Sequence, residues 1–176
     1  AQVLHAALAR KMDSQMFTGD ALSKDFFTCL KTNCPDVMHI HGCWNVNTAI
    51  ACRIAFHYDI PVVISPHGML AQSIIQNDFW HKLPRMLAYQ VRTVRKAFVV
   101  HASTEQEEKD LKALGWKKRI SLIGISANEH EQELMVDRFT AFYQKIIDTV
   151  QRNKLSEIES KCFWSLLKAD VSSRHE

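Results

Sequence analysis

The chain has 176 residues, with 22 Lys and Arg against 19 Asp and Glu and a formal net charge of +3. At about 100–200 residues per domain that is one domain and a short appendage, long enough to bury a core without staples. A composition of 47% hydrophobic and 23% charged residues excludes disordered and collagenous chains, and no apolar run approaches the ~20 residues of a membrane span.

Taken in chain order, Gln2 to Met16 and Asp20 to Asn33 read as helices, the second capped by Asp20 or Ser23. Val37 to His41 is short and apolar and ends at Gly42, which predicts a strand. Asn45 to Tyr58 carries Val46, Ala49, Ile50, Ile54 and Ala55 at helical spacing. Pro61 to Ser65 is β-branched and predicts a second strand. Ser73 to Lys96 is a long helical stretch, interrupted or restarted near Pro84. Ala97 to His101 is a third strand. Thr104 to Leu114 is a helix in which Thr104 and Glu107 have capping-box spacing and Gly115 terminates. Ile120 to Ile123 is a fourth strand. Beyond Ser126, 129–152 and 155–169 contain no Gly or Pro and predict two helices packed back onto the sheet.

Strands alternating with helices in this rhythm predict an α/β fold: a parallel, Rossmann-like sheet flanked by helices, with a C-terminal helical tail. The expected division is a domain over 1–126 and a tail over 127–176. The first 124 residues carry 15 basic and 10 acidic groups, and the remainder 7 and 9.

The five glycines are under half the usual ~7%. No G-x-G-x-x-G or G-x-x-x-x-G-K-[ST] motif occurs, which counts against a self-contained nucleotide-binding unit. Cys29, Cys34, Cys43, Cys52 and Cys162 form no C-x-x-C and no metal knuckle, and they read as free thiols of a reducing compartment. The opening residues show no signal-peptide pattern, so a cytoplasmic location is expected.

Open parallel sheets bind ligands at the carboxyl ends of their strands. Here those ends read His39-Ile40-His41-Gly42-Cys43-Trp44-Asn45, Ser65-Pro66-His67-Gly68-Met69-Leu70 and His101-Ala102-Ser103. Two His-Gly pairs stand at equivalent points of neighbouring units, and glycine there lets a ligand approach the backbone. The candidate substrate-binding residues are His41, Gly42, Trp44, Asn45, Gly68, Met69 and Ser103, with Trp44 as a crevice wall or sugar-stacking surface. His39 and His41 lie on one strand face. They allow either metal ligation or a division of labour in which His39 packs in the core and His41 reaches the crevice. Lys82, Arg85, Arg92, Arg95 and Lys96 line one side of an amphipathic segment without acidic residues. It is a solvated face or a surface for anionic lipid heads or phosphates, and no nucleic-acid-binding motif accompanies it.

From Pro35 to Gly124 the chain resembles the N-terminal, acceptor-side domain of family 4 glycosyltransferases, which have the GT-B fold. The resemblance rests on Asp36 to Trp44, on Ile60 to Leu70 with Ser65-Pro66-His67-Gly68-Met69-Leu70 as its most specific part, and on His101 to Gly115. It implies transfer of a sugar from a nucleotide sugar to a glycan or lipid-linked acceptor, with retention and without metal or other cofactor, in polysaccharide or glycoconjugate assembly. It implies that His67 contacts the donor sugar and its phosphates as the catalytic residue, and that His41, Gly42 and Asn45 line the cleft. It also implies that the basic segment touches the inner membrane surface. The family's opening Gly-rich loop, its I-P-N-G turn and the spaced Glu pair of its donor-binding domain have no counterpart among these residues. The donor-binding side is therefore expected from a further domain or a partner subunit. The alternatives are a non-catalytic binding module of the same fold, or a metal-dependent hydrolase built on His39 and His41.

Overall fold

The computed structural model describes residues 2–18, 23–71, 74, 84, 91–116, 119–126 and 128–172. Its elements are α1 (Gln2–Leu8), α2 (Lys24–Asn33), β1 (Met38–His41), α3 (Val46–His57), β2 (Val62–Ser65), α4 (Val91–Lys96), β3 (Val99–Ala102), α5 (Glu105–Ala113), β4 (Ile120–Leu122) and α6 (Glu129–Ser172). The four strands form one parallel sheet in the order β1-β2-β3-β4. The predicted α/β architecture, a Rossmann-like sheet flanked by helices, is the one observed.

Local chemistry accounts for the helix ends. Asn45 caps α3 by accepting the Asn47 N–H, Ser23 caps α2 through the Phe26 N–H, and Thr104 caps α5 through the Glu107 N–H. At the far end of α5, Gly115 has φ +94°. Its N–H bonds Lys112 O and that of Trp116 bonds Leu111 O, the paired bonds of a Schellman end that needs a left-handed residue. The predicted first helix is shorter than expected. It ends at Leu8, ahead of Asp13 and Ser14, side chains that favour turns over helix interiors.

The sheet is covered on both faces, and the two-residue period of the strands decides which residue goes where. Ile40, Val62, Ile64, Val100 and Ala102 pack with Phe26 and Leu30 of α2, Cys52 and Ala55 of α3, Val94 of α4 and Leu111 of α5. On the opposite face, Val63 and Ile123 pack with Leu4 and Leu8 of α1 and with Met135, Val136, Phe139, Tyr143 and Ile146 of α6.

The tail is one helix of 44 residues, where two were predicted. The break expected near 153 has no Gly or Pro to cause it, so the hydrogen-bond ladder continues. Its first half belongs to the core, while residues 151–158 are exposed. Of the predicted basic helix, Lys82 and Arg85 lie outside the described residues. Arg92, Arg95 and Lys96 stand exposed on α4, with Lys96 Nζ 5.7 Å from the centre of the Phe56 ring. No helix among the described residues is long and apolar enough to cross a membrane. Cys29, Cys34, Cys43 and Cys52 are free thiols, and burial pushes the Cys52 thiol up to about 12, so it stays protonated.

Candidate functional site

The register of the sheet builds the site. His39 pairs with Val63 and His41 with Ser65 across β1 and β2, and Val63 pairs with Val99 across β2 and β3. His39, His41, Ser65 and His101 therefore share the face that α6 covers, at the carboxyl ends of three neighbouring strands.

His41 and His67 meet there. His41 Nδ1 is 2.8 Å from His67 Nε2, and the two rings are parallel within 7°. Burial above all pushes His41 down to about 4. Burial also lowers His67, against the opposing pull of the Glu107 carboxylate. Near neutral pH the pair is thus two uncharged imidazoles sharing one hydrogen bond, able to donate an N–H and to accept a proton.

The backbone that carries the pair is held in a left-handed turn. His67 has φ +52° and Gly68 φ +74°. For His67 that is an uncommon conformation, maintained only where surroundings enforce it. The enforcing group is Glu107, the third residue of α5. Its carboxylate accepts the Gly68 N–H at 2.8 Å through one oxygen. Through the other it accepts the Ser103 N–H at 2.9 Å and the Ser103 hydroxyl at 2.8 Å. Glu107 is 7% exposed. Burial would raise its carboxyl, but these hydrogen bonds and the nearby His67 outweigh that and hold it below the usual range. The predicted capping box is therefore half present: Thr104 caps, but Glu107 reaches to Ser103 and Gly68 instead of back to the cap.

A second clamp joins β1 to the same turn. Gly42 N–H bonds Ser65 O at 2.8 Å, Cys43 N–H approaches Met69 Sδ at 3.3 Å, and the Trp44 indole N–H donates to Met69 O at 2.8 Å. Gly42 has φ +90°, and a Cβ there would sit 3.8 Å from Met69 Sδ and Cε. The requirement for glycine is thus conformational rather than steric.

These bonds bring His41, Gly42, Trp44, Gly68, Met69 and Ser103 together around His67. Asn45 stands apart as the exposed cap of α3, its side-chain oxygen on the Asn47 N–H at 2.9 Å. A cavity of about 720 Å³ opens beside β1, with His41, Asn45, Asn47 and Thr48 among its polar lining and Leu4 and Phe26 among its apolar lining. Such a size suits a small-molecule or sugar ligand.

His39 is a core residue. Its Nδ1 is 2.5 Å from the Tyr143 hydroxyl and its Nε2 is 2.6 Å from Ser65 Oγ. Both ring nitrogens are engaged, which leaves it no lone pair for a metal, and the hydrolase reading loses its first ligand. Among the described residues no group of three His, Cys, Asp or Glu could hold a metal ion.

Residues 6–125 match the family model of the glycosyl transferase 4-like domain. The chain belongs to that family. No curated protein matches the chain. Within this glycosyl transferase 4-like domain the matched residues include all four described strands, the His41–His67 pair and Glu107. Reading the sequence alone missed three participants: Glu107, read there as a capping-box residue and not as part of the site, Ser65 and Tyr143. The Glu107 signal was available in its capping-box position. That of Tyr143 was not, because nothing local links it to β1.

Proposed function

We propose that this glycosyl transferase 4-like domain forms the acceptor side of a retaining glycosyltransferase that uses a nucleotide-sugar donor. In the reaction, the bond from the anomeric carbon to the phosphate oxygen breaks and the nucleoside diphosphate leaves with the electron pair. A hydroxyl of a glycan or lipid-linked acceptor bonds that carbon and gives up its proton to an oxygen of the departing diphosphate. His67 contacts the donor sugar and its phosphates. His41, Gly42, Trp44, Asn45, Gly68, Met69 and Ser103 line the acceptor side, and a further domain or a partner subunit grips the nucleotide. The product belongs to polysaccharide or glycoconjugate assembly.

The observation that carries this reading is the His41–His67 contact at 2.8 Å, mounted on the carboxyl ends of adjacent parallel strands. Because burial holds both imidazoles neutral, His67 can donate an N–H to a phosphate oxygen that gains charge as the bond breaks. Aimed hydrogen-bond donors of this kind are worth about 10²–10³ in rate. The adjoining Gly68 leaves no side chain between ligand and backbone.

The test is transfer of labelled sugar by the whole protein together with whatever supplies its donor-binding side. His67→Ala should lower kcat about a hundredfold while the melting temperature holds. Unchanged transfer in that variant would remove His67 from the reaction. Retained acceptor binding with no turnover of any nucleotide sugar would instead make the domain a binding module.

A further inference from the structure

We infer that Tyr143, on α6 and beyond the residues that define the family match, is a positioning residue for the His41–His67 pair, acting through His39. The inference rests on the proposed role of that pair for its catalytic consequence, but its structural part stands independently.

The argument starts from a carbonyl. His101 Nε2 lies 2.8 Å from Ile123 O, and a carbonyl oxygen only accepts, so Nε2 bears the proton. Burial lowers His101 and keeps it neutral, which makes its Nδ1 an acceptor. The Ser65 hydroxyl, 2.6 Å away, must therefore donate to it. That leaves Ser65 Oγ to accept from His39 Nε2–H at 2.6 Å. His39, held well below its ordinary value by burial and by the neighbouring imidazoles, is neutral as well, so its Nδ1 accepts from the Tyr143 O–H. One carbonyl of the chain thus dictates every proton in a line running Tyr143 to His39 to Ser65 to His101 to Ile123. Ser65 and His101 are 1% and 0% exposed, so the inner half of the line has no access to bulk water, while His39 and Tyr143 border the cavity beside β1.

The line does mechanical work at His39. The ring is tethered at both nitrogens, on one side to α6 and on the other to β2, and cannot turn about its own axis. His41 lies face to face with it, ring centres 4.3 Å apart and planes within 23°. Phe139, fully buried, packs against His39 and His101. His41 therefore rests on an immobile surface that directs its Nδ1 to His67. Loss of the Tyr143 hydroxyl leaves the Nε2–H tautomer of His39 fixed through Ser65 but removes one of the ring's two tethers, so the ring can tilt and His41 loses its fixed floor. Misplacement at an electrostatic site is costly because its donors act only over hydrogen-bond distances.

The test compares Tyr143→Phe, which removes one oxygen, with Ile146→Ala, which thins the same buried helix face without touching the line. The measurements are imidazole nitrogen–proton correlation spectra of the chain at one fixed pH, thermal melting, and transfer kinetics of the whole enzyme. Tyr143→Phe should shift the Nδ1 signal of His39, which loses its hydrogen-bond donor while Nε2 keeps its proton, and displace the signals of His41 and His67. It should also lower kcat roughly tenfold to a hundredfold with KM little changed. Ile146→Ala should lower the melting temperature and leave the His41 and His67 signals in place. Should Tyr143→Phe not fold, Ser65→Ala breaks the line at its middle and should shift the same signals. Unmoved His41 and His67 signals in a folded Tyr143→Phe or Ser65→Ala variant would overturn the inference. Displaced signals in Tyr143→Phe, with transfer indifferent to His67→Ala, would uphold the positioning and overturn only the proposed catalytic role of the pair.

Discussion

The carboxylate of Glu107 accepts the backbone N–H of Gly68 at 2.8 Å, so the first turn of α5 holds the turn that follows β2. A buried acid thus fixes the conformation of the residue beside His67. Glu107→Ala should leave the half-buried N–H groups of Gly68 and Ser103 without their partner, at about 1 kcal/mol each, the low end of the range for a buried unsatisfied group. Urea unfolding would register this as a lower midpoint with an unchanged slope.

The pH dependence of that contribution has a definite sign. The Glu107 carboxyl is lowered from its ordinary 4.5 in the folded chain, so the unfolded state binds the proton more readily. The stabilisation is complete above about pH 4.5 and disappears as pH falls through the lower, folded value. Glu107→Gln should flatten this part of the acid branch in unfolding curves recorded at successive pH values. An acid branch identical to that of the parent would argue that the carboxylate charge is not engaged.

Buried histidines add a second acid-sensitive region at higher pH. His39 and His101 are lowered from 6.5, burial being the first cause in each. The unfolded chain therefore takes up protons from about pH 6.5 downward, which the folded core refuses. Stability should be greatest above pH 6.5 and decline steadily as pH drops below it. His101→Asn should weaken that slope, whatever it does to absolute stability. Chemical denaturation at pH 7.5 and 5.5 suffices to compare the two.

Gly68 offers a conformational test. Its φ is +74° and nothing lies within 4 Å of a built Cβ, so Gly68→Ala meets no steric obstacle and suffers only the left-handed penalty, about 1–2 kcal/mol. Because the same turn carries His67, the variant should also lose transfer activity. Equal stability of Gly68→Ala and parent in thermal melts would mean that the turn can relax to another conformation.

The exposed cations of α4 give a prediction that stands apart from the cleft. We expect Arg92, Arg95 and Lys96 to draw the domain to anionic vesicles, at about 1 kcal/mol for each basic residue near the surface. Replacing all three by Gln should cut co-sedimentation by more than tenfold, and added salt should do the same to the parent. Sedimentation that ignores both would place any membrane contact elsewhere.

Much of this molecule is written in local sequence. The four strands, the Asn45 and Thr104 caps and the Gly115 stop follow from short-range propensities, because each is decided by hydrogen bonds within a few residues. The two His-Gly pairs also mark the carboxyl edge of the sheet, since apolar strands alternating with helices leave few other topologies. For His39 and His41 the sequence leaves two readings open, metal ligation or one core and one crevice residue, and cannot choose between them. His39 and His41 differ by two positions and share a face, yet one is tethered in the core and the other pairs with His67. What separates them is Tyr143, 104 residues away in sequence, and Ser65 on the neighbouring strand. Glu107 likewise looks like an ordinary helix-start acid until the turn after β2 comes within reach. Backbone propensity is local and therefore readable. Ring protonation, burial and the pinning of a strained turn depend on which distant side chains converge, and packing of α5 and α6 on the sheet decides that.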